Sequence, residues 1–427
     1  MTAKREPTEF ISTQTGDEKV VALLNDMFKS AARMGASDIH IEDAEDGAIV
    51  RMRVDGKLRQ THTLTGPEMR NADTKIRMKA GLSPSDRKPM DGRMFIEVDE
   101  RMVDVRVSWL PTRNGMSIVG RLLDQANASR TLADIDMTPS VRRVIDETLA
   151  EPNGLFLVSG PTGSGKTSTL YAMLTALNSL ERKIITVEDP VEYRIPLACQ
   201  VNVERPKTTA FGNPAEKGTT FGSALRSILR QDPDIILIGE IRDAETARIA
   251  IEASLTGHLV LSTVHANDAP ATITRLLDLG IEPFPLGAAL RCVVAQRLLS
   301  RLCRCARPYA ADSVASAAFH SLGVPLAPGQ TLLLPQGCEQ CGYSGYKGRV
   351  PVLELVRSDN ALREAITTKD SEAITRAAQH QAQFVKLATG GALHALAGKT
   401  TLDQALRLLP DRAGHCGLDE ELEIPHD

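Results

Sequence analysis

The chain has 427 residues, 42% of them apolar, with seven cysteines and a formal net charge of -4. That length exceeds what one hydrophobic core normally serves, so two or three domains are expected. A charged fraction of 24% with nearly balanced signs argues against wholesale coating of nucleic acid, and no run approaches the roughly 18 to 20 apolar residues that span a bilayer. The opening MTAKREPTEF lacks the apolar centre of a signal peptide, so a cytoplasmic protein is expected, in which clustered cysteines point to metal rather than disulfides.

Residues 1–16 read as a polar tail. Val20, Leu23, Leu24, Met27, Phe28 and Ala31 then recur at helical spacing until Gly35 supplies a stop. Alternating strands follow, AIVRMRV and RMFIEV, with Asp55-Gly56 and Asp91-Gly92 suited to tight hairpin turns. In MVDVRVS, Val103, Val105 and Val107 point one way and Asp104, Arg106 and Ser108 the other, which sends Arg106 to a domain surface. Residues 17–127 therefore read as a small α+β domain, and 128–137 as a linker.

From Leu155 the texture changes to short, continuous apolar runs, LFLV, KIITV, IILI and LVLSTV, separated by helical stretches. That pattern predicts an α/β core over 138–302, with a parallel sheet covered on both faces. Residues 303–350 hold four cysteines around a Pro-, Ala- and Gly-rich insert, 351–410 read as helices and 411–427 as an acidic tail. Residues 203–219, within VERPKTTAFGNPAEKGTT, read as an exposed loop.

The strongest chemical signal is Gly160, Pro161, Thr162, Gly163, Ser164, Gly165, Lys166, Thr167 and Ser168, placed directly after LFLV and before a helical run. Glycines let successive amides converge on phosphates, the helix N-terminus adds positive potential, Lys166 reaches the terminal phosphates and Thr167 offers a hydroxyl to magnesium. Three more strands end in polar residues: KIITV in Glu188 and Asp189, IILI in Gly239 and Glu240, and LVLSTV in His265. Ligands sit beyond the carboxyl ends of parallel strands, so these groups are expected around one nucleotide. ATP hydrolysis needs a group to activate water, a carboxylate for magnesium and a sensor of the terminal phosphate. Two glutamates and a histidine can fill those places.

GPTGSGKTSTLYAML, ITVEDPVEYRI, LRSILRQDPDIILIGEIRDAETA and TGHLVLSTVHANDAPATITRLLDLGI resemble the Walker A, Asp box, Walker B and His box of the type II secretion and type IV pilus ATPases. Upstream, ASDIHIE, RMRVDGKL, RKPMDGR and VDVRVSWLPT resemble that family's second N-terminal domain, and GYKGRVPVLEL its C-terminal portion. The resemblance covers roughly residues 17 to 410. It implies a RecA-like core behind a PAS-like domain, and a homo-hexamer using ATP and Mg2+. Lys166 and Thr167 would hold phosphate and metal, Glu188 would activate water and Glu240 would support magnesium, with either glutamate open as the base. His258 and His265 would couple or sense, and Arg93, Arg106 and Arg121 would reach the nucleotide from the N-terminal domain. Arg194, Arg226 and Arg230 are weaker candidates. Gly239 stands where many P-loop enzymes carry aspartate.

The implied work is pilus or pseudopilus assembly on a polytopic inner-membrane platform protein, with other secretion components as partners and peripheral membrane association through them. A retraction motor or a conjugation-linked pilus ATPase is the alternative, and nucleic acid is not expected as a partner. Cys303, Cys305, Cys338 and Cys341 form a second constellation, for which four thiolates suit tetrahedral Zn2+. The first pair is C-x-C where assembly motors of the resembled family often carry C-x-x-C, so free structural cysteines are the competing reading. The family's extra first N-terminal domain is expected to be lacking, which would leave docking to other surfaces.

Overall fold

A computed structural model of the chain describes residues 10, 18–113, 115–124, 130–203 and 218–409. The polar tail other than Phe10, most of the 203–219 segment, the acidic tail and Cys416 lie outside them. The described chain divides into two compact units. The first ends at residue 129 and is grouped with Glu192–Arg194, and the second takes the rest.

In the first unit, α1 (Glu18–Arg33) buries Val20, Leu24, Met27, Phe28 and Ala31 on one stripe and stops before Gly35, whose φ of 66° suits glycine. Next come β1 (Asp38–Ala44), β2 (Gly47–Val54), β3 (Lys57–Thr65), α2 (Gly66–Lys79), β4 (Met90–Val98), β5 (Arg101–Pro111) and β6 (Met116–Asp124). The strands form one antiparallel sheet in the order β3-β2-β1-β6-β5-β4, whose apolar face packs with α1 and α2 in a single core. Asp55 and Gly56, both at positive φ, make the tight β2–β3 turn.

Asp91-Gly92 makes no turn. It lies inside β4, where a Cβ on Gly92 would sit 2.4 Å from the Ala80 carbonyl oxygen. The glycine serves close approach to α2, and the β4–β5 turn falls on Asp99 and Glu100, at φ 50° and 62°.

The second unit begins in the expected linker, where Asp136 accepts from Lys399 Nζ at 2.7 and 2.8 Å and from Arg301 Nη2 at 3.4 Å. Its elements are α3 (Pro139–Leu149), β7 (Gly154–Ser159), α4 (Lys166–Leu177), β8 (Ile184–Glu188), β9 (Cys199–Asn202), α5 (Phe221–Ile228), β10 (Ile235–Ile238), α6 (Ala244–Leu255), β11 (Leu259–Val264), α7 (Ala269–Asp278), α8 (Pro283–Ala289) and β12 (Leu290–Leu302). After these come β13 (Arg307–Ala310), α9 (Ser313–Ser321), β14 (Thr331–Leu334), β15 (Tyr346–Arg357), α10 (Asn360–Thr368), α11 (Ser371–Gln379), α12 (Leu387–Leu396) and α13 (Leu402–Leu406).

The main sheet runs β15-β12-β7-β11-β10-β8-β9, parallel except for β15. Every residue of β7, β8, β10 and β11 is buried, as strands covered on both faces require. The sequence boundary at 350 divides a strand, because β15 returns antiparallel to β12 and completes this sheet. The insert has a core of its own, where Phe319, Leu322 and Leu332 meet Ala392, Ala395 and Ala405 of the last helices.

Candidate active site

The phosphate loop joins β7 to α4. Gly160, Gly163 and Gly165 take φ values of 147°, 80° and 88°. A Cβ on Gly160 would meet the Gln296 carbonyl oxygen at 2.5 Å, and one on Gly165 the Gln296 Nε2 at 2.7 Å. Backbone conformation and close approach thus both demand glycine at these two positions. Thr167 and Ser168 stand half-buried on the first turn of α4, Ser164 is buried, and Pro161 and Thr162 are exposed. Lys166 Nζ donates to the carbonyls of Gly160 (2.9 Å) and Pro161 (3.0 Å), which holds the lysine over the loop. Burial lowers its pKa, and Glu240 opposes that shift from nearby.

The other strand ends gather beside it. Glu188 closes β8 only 4% exposed and accepts from Thr186 Oγ1 (2.6 Å), Gln200 Nε2 (3.3 Å) and the Tyr171 hydroxyl of α4. Asp189, the next residue, is exposed. Glu240 follows β10, pairs with Arg242 at 2.6 Å and has His265 Nε2 at 3.5 Å. One glutamate is therefore held by neutral donors and the other by the Arg242 guanidinium, with the His265 ring beside it. Hydroxyls pin the strand ends, with Ser262 Oγ donating to Ile238 O (2.9 Å) and Thr263 Oγ1 to Gly239 O (2.7 Å). A Cβ on Gly239 would lie 3.3 Å from the Glu188 Cα, so an aspartate here would press on the neighbouring strand end.

Other candidates lie elsewhere. His258 precedes β11, its Nδ1 2.9 Å from the Ala253 carbonyl oxygen, at the opposite end of the strand from His265. A six-residue strand separates the two histidines by about 20 Å. Arg226 pairs with Glu245, Arg230 Nη1 donates to Arg226 O at 2.7 Å, and Arg194 is exposed. In the first unit, Arg93, Arg106 and Arg121 stand directly opposite one another across β4, β5 and β6. Carboxylates accompany this row, because Arg93 Nε donates to both oxygens of Asp104 (2.8 and 3.0 Å) and Arg121 Nε to Asp38 (3.0 Å). Burial lowers the Arg106 pKa.

Three further positions beside the loop and the His265 segment escape sequence reasoning. Gln296, 2% exposed on β12, donates to Ser164 O at 2.8 Å and accepts from Thr169 Oγ1 at 2.7 Å, so it braces both the loop and α4. Arg297 Nη2 donates to Asn267 O at 2.7 Å. Glu354, on β15, accepts from the Ala269 amide at 2.8 Å and the Leu387 amide at 3.2 Å. Their signal is one or two polar residues set in an apolar strand, as in VVAQRLL and VPVLELV.

A family model described as "Type II/IV secretion system protein" matches residues 13–407. The chain belongs to that family. It is 42% identical over 405 residues to Type II secretion system protein E of Klebsiella pneumoniae, covering 94% of this chain and 78% of the relative. Identity to the protein of the same description from Pseudomonas aeruginosa is 43% over 404 residues, again covering 94% and 78%. Among solved structures, the Legionella pneumophila ATPase DotB aligns with a TM-score of 0.66 at 19% identity, covering 94% of this chain and 97% of that one. The pilus retraction motor PilT with bound ADP aligns at 0.60 and 24% identity, covering 92% and 98%. At those identities the likeness is one of fold.

This secretion-family chain gathers Cys303, Cys305, Cys338 and Cys341 into one cluster, with all four sulfurs within 4.8 Å of each other. Sulfur separations of 3.8 Å (Cys303–Cys338 and Cys338–Cys341) and 3.9 Å (Cys305–Cys341) match the edge of about 3.8 Å that four 2.3 Å zinc–sulfur bonds define in a tetrahedron. The C-x-C pair fits because Ala306 N bonds back to Cys303 O at 3.0 Å, and the turn brings both thiols to one side. Burial works against a charged Cys341, but amides of Cys338 and Gly345 and the neighbouring thiols bring it down to about 6, while burial pushes Cys305 of the same cluster up to about 11. No helix among the described residues is long and apolar enough to cross a membrane.

Proposed function

We propose that the chain is a hexameric motor that hydrolyses MgATP to drive pilus or pseudopilus assembly, working on a polytopic platform protein at the inner membrane. One observation carries the catalytic part: the phosphate loop, Glu188, Glu240 and His265 all stand at the carboxyl ends of neighbouring parallel strands. Family membership and the protein E relatives support the secretion assignment.

In this mechanism the loop amides and the α4 N-terminus cradle the phosphates, and Lys166 turns from the carbonyls of Gly160 and Pro161 to the terminal phosphates. Thr167 and Glu240 would hold magnesium, which would supply positive charge against the phosphates. Glu188 orients the attacking water and accepts its proton, and His265 beside Glu240 senses whether the terminal phosphate is present. Arg93, Arg106 and Arg121 are assigned to phosphate charge at a hexamer's nucleotide sites. Zinc on the four cysteines is structural, since four thiolates leave no open position.

Phosphate release by purified protein tests this directly. Lys166→Ala and Glu240→Gln are each expected to lose at least roughly 100-fold in turnover while remaining folded and oligomeric. Undiminished hydrolysis in both variants would falsify the assignment, and a monomer at working concentration would remove the hexamer.

A further inference from the structure

We propose that Arg297 and Glu354 are positioning residues that clamp the segment after His265, and that Glu354 ties this segment to α12, so that the terminal-phosphate side of the pocket and the C-terminal helices move as one. The proposal rests on the ATPase reading above and adds to it the route by which nucleotide state leaves the pocket.

β12 carries the geometry. It pairs with β7 on one side, where Ala295 is opposite Ser159, and with β15 on the other, where Ala295 is opposite Glu354. Alternation along the strand sends Gln296 to the phosphate loop and Arg297 to the opposite face. Arg297 lies opposite Val352, which makes it the diagonal neighbour of Glu354 on that same face.

The two side chains grip one short segment from two directions. Arg297 donates to the carbonyl of Asn267, and Glu354 accepts the amide of Ala269, two residues on. Between them Asp268 caps α7 by accepting from Ala271 N at 2.7 Å. Below, Thr272 of α7 donates to Ser159 at 2.7 Å, directly before the phosphate loop. The stretch from Asn267 to Thr272 is thus fixed at carbonyl, amide and hydroxyl, and none of these contacts uses a group assigned to the reaction.

Glu354 has a second partner. Its other oxygen accepts the amide of Leu387, the first residue of α12. Two helix N-termini converge on one carboxylate that is only 3% exposed, an arrangement their dipoles favour. Farther along, α12 places Ala392 and Ala395 against Phe319 and Leu332 of the cysteine-bearing insert. A displacement of the His265 segment is therefore passed through the Glu354 side chain to the helix on which that insert packs.

The full-length protein serves for the test. Glu354→Gln and Arg297→Lys, each with the wild-type melting temperature, are expected to lower kcat for MgATP roughly tenfold with KM within about twofold, because a displaced loop costs rate more than binding. Unchanged kcat in both variants overturns the positioning role, as does a lowered melting temperature with unchanged kcat. Amide hydrogen exchange without nucleotide reads the tie itself. Glu354→Ala, which removes both acceptor oxygens, is expected to speed exchange at Ala269 and Leu387 together, and acceleration at only one of them overturns it. If the variants fail to fold, the wild type decides: ADP is expected to change exchange at both amides, and a change at Ala269 alone overturns the tie. A wild type that hydrolyses no ATP removes the ATPase reading and the kinetic arm with it, while the exchange measurements still decide whether α7 and α12 are joined.

Discussion

Glu354 faces opposed demands. Burial pushes its carboxyl from the ordinary 4.5 up to about 7, and Asp268 at the start of α7 adds to the push. The amides of Ala269 and Leu387, and Arg297 on β12, pull the other way. With the folded value above the unfolded one, the unfolded chain gives up this proton first. The contribution to stability is therefore complete below about 4.5 and is lost as pH rises through about 7. Melting followed by circular dichroism from pH 4.5 to 7.5 is expected to fall more steeply in the wild type than in Glu354→Gln, which carries no such proton; parallel profiles would contradict this. Gln296 and Gly239 illustrate the same scale, since each is explained by an atom on a neighbouring strand or loop and by nothing in its own vicinity along the chain.

At the scale of elements, α2 and β5 show how one cation can organise a core. Arg77 is fully buried, stacks its guanidinium 4.3 Å above the ring of Trp109 and donates to the carbonyls of Ser83 and Asp86. Trp109 Nε1 donates to Asp73 at 2.8 Å, so the two side chains share one carboxylate neighbourhood. Arg77→Ala would leave buried carbonyls unpaired and uncover the ring, at an expected cost of about 3 to 5 kcal/mol. Trp109 is the chain's single tryptophan, so fluorescence-detected unfolding reports this unit alone. A midpoint within error of the wild type would show that the stacked arginine contributes nothing net. Hairpins at this scale followed local rules only in part. Asp55-Gly56 turned as expected, whereas Asp91-Gly92 was claimed by the close approach of Ala80, a contact between elements.

Across the whole molecule, the cysteine cluster joins two distant stretches, with Cys303 and Cys305 leaving β12 and Cys338 and Cys341 leading into β15. Cys338→Ser is expected to abolish binding of a single zinc ion and to loosen the insert around Phe319, while the Trp109 signal of the first unit stays at its wild-type midpoint. Full zinc content in the variant, measured by elemental analysis, would show that the cluster is not the metal site. The sequence by itself determined the phosphate loop, the buried parallel strands, the polar strand ends and the four candidate thiols. Each of these is written in short local stretches: nine contiguous residues for the loop, an uninterrupted apolar run for a strand covered on both faces, and two close-set pairs for the thiols. Only the tertiary structure decided that Arg93, Arg106 and Arg121 form one row, that β15 belongs to the main sheet, and that Gln296 touches the phosphate loop while Arg297 and Glu354 touch the segment after His265. The physical reason is strand order. Placing β12 between β7 and β15 sets which side chains meet across the sheet, and sheet neighbours separated by a hundred residues or more leave no periodicity along the chain.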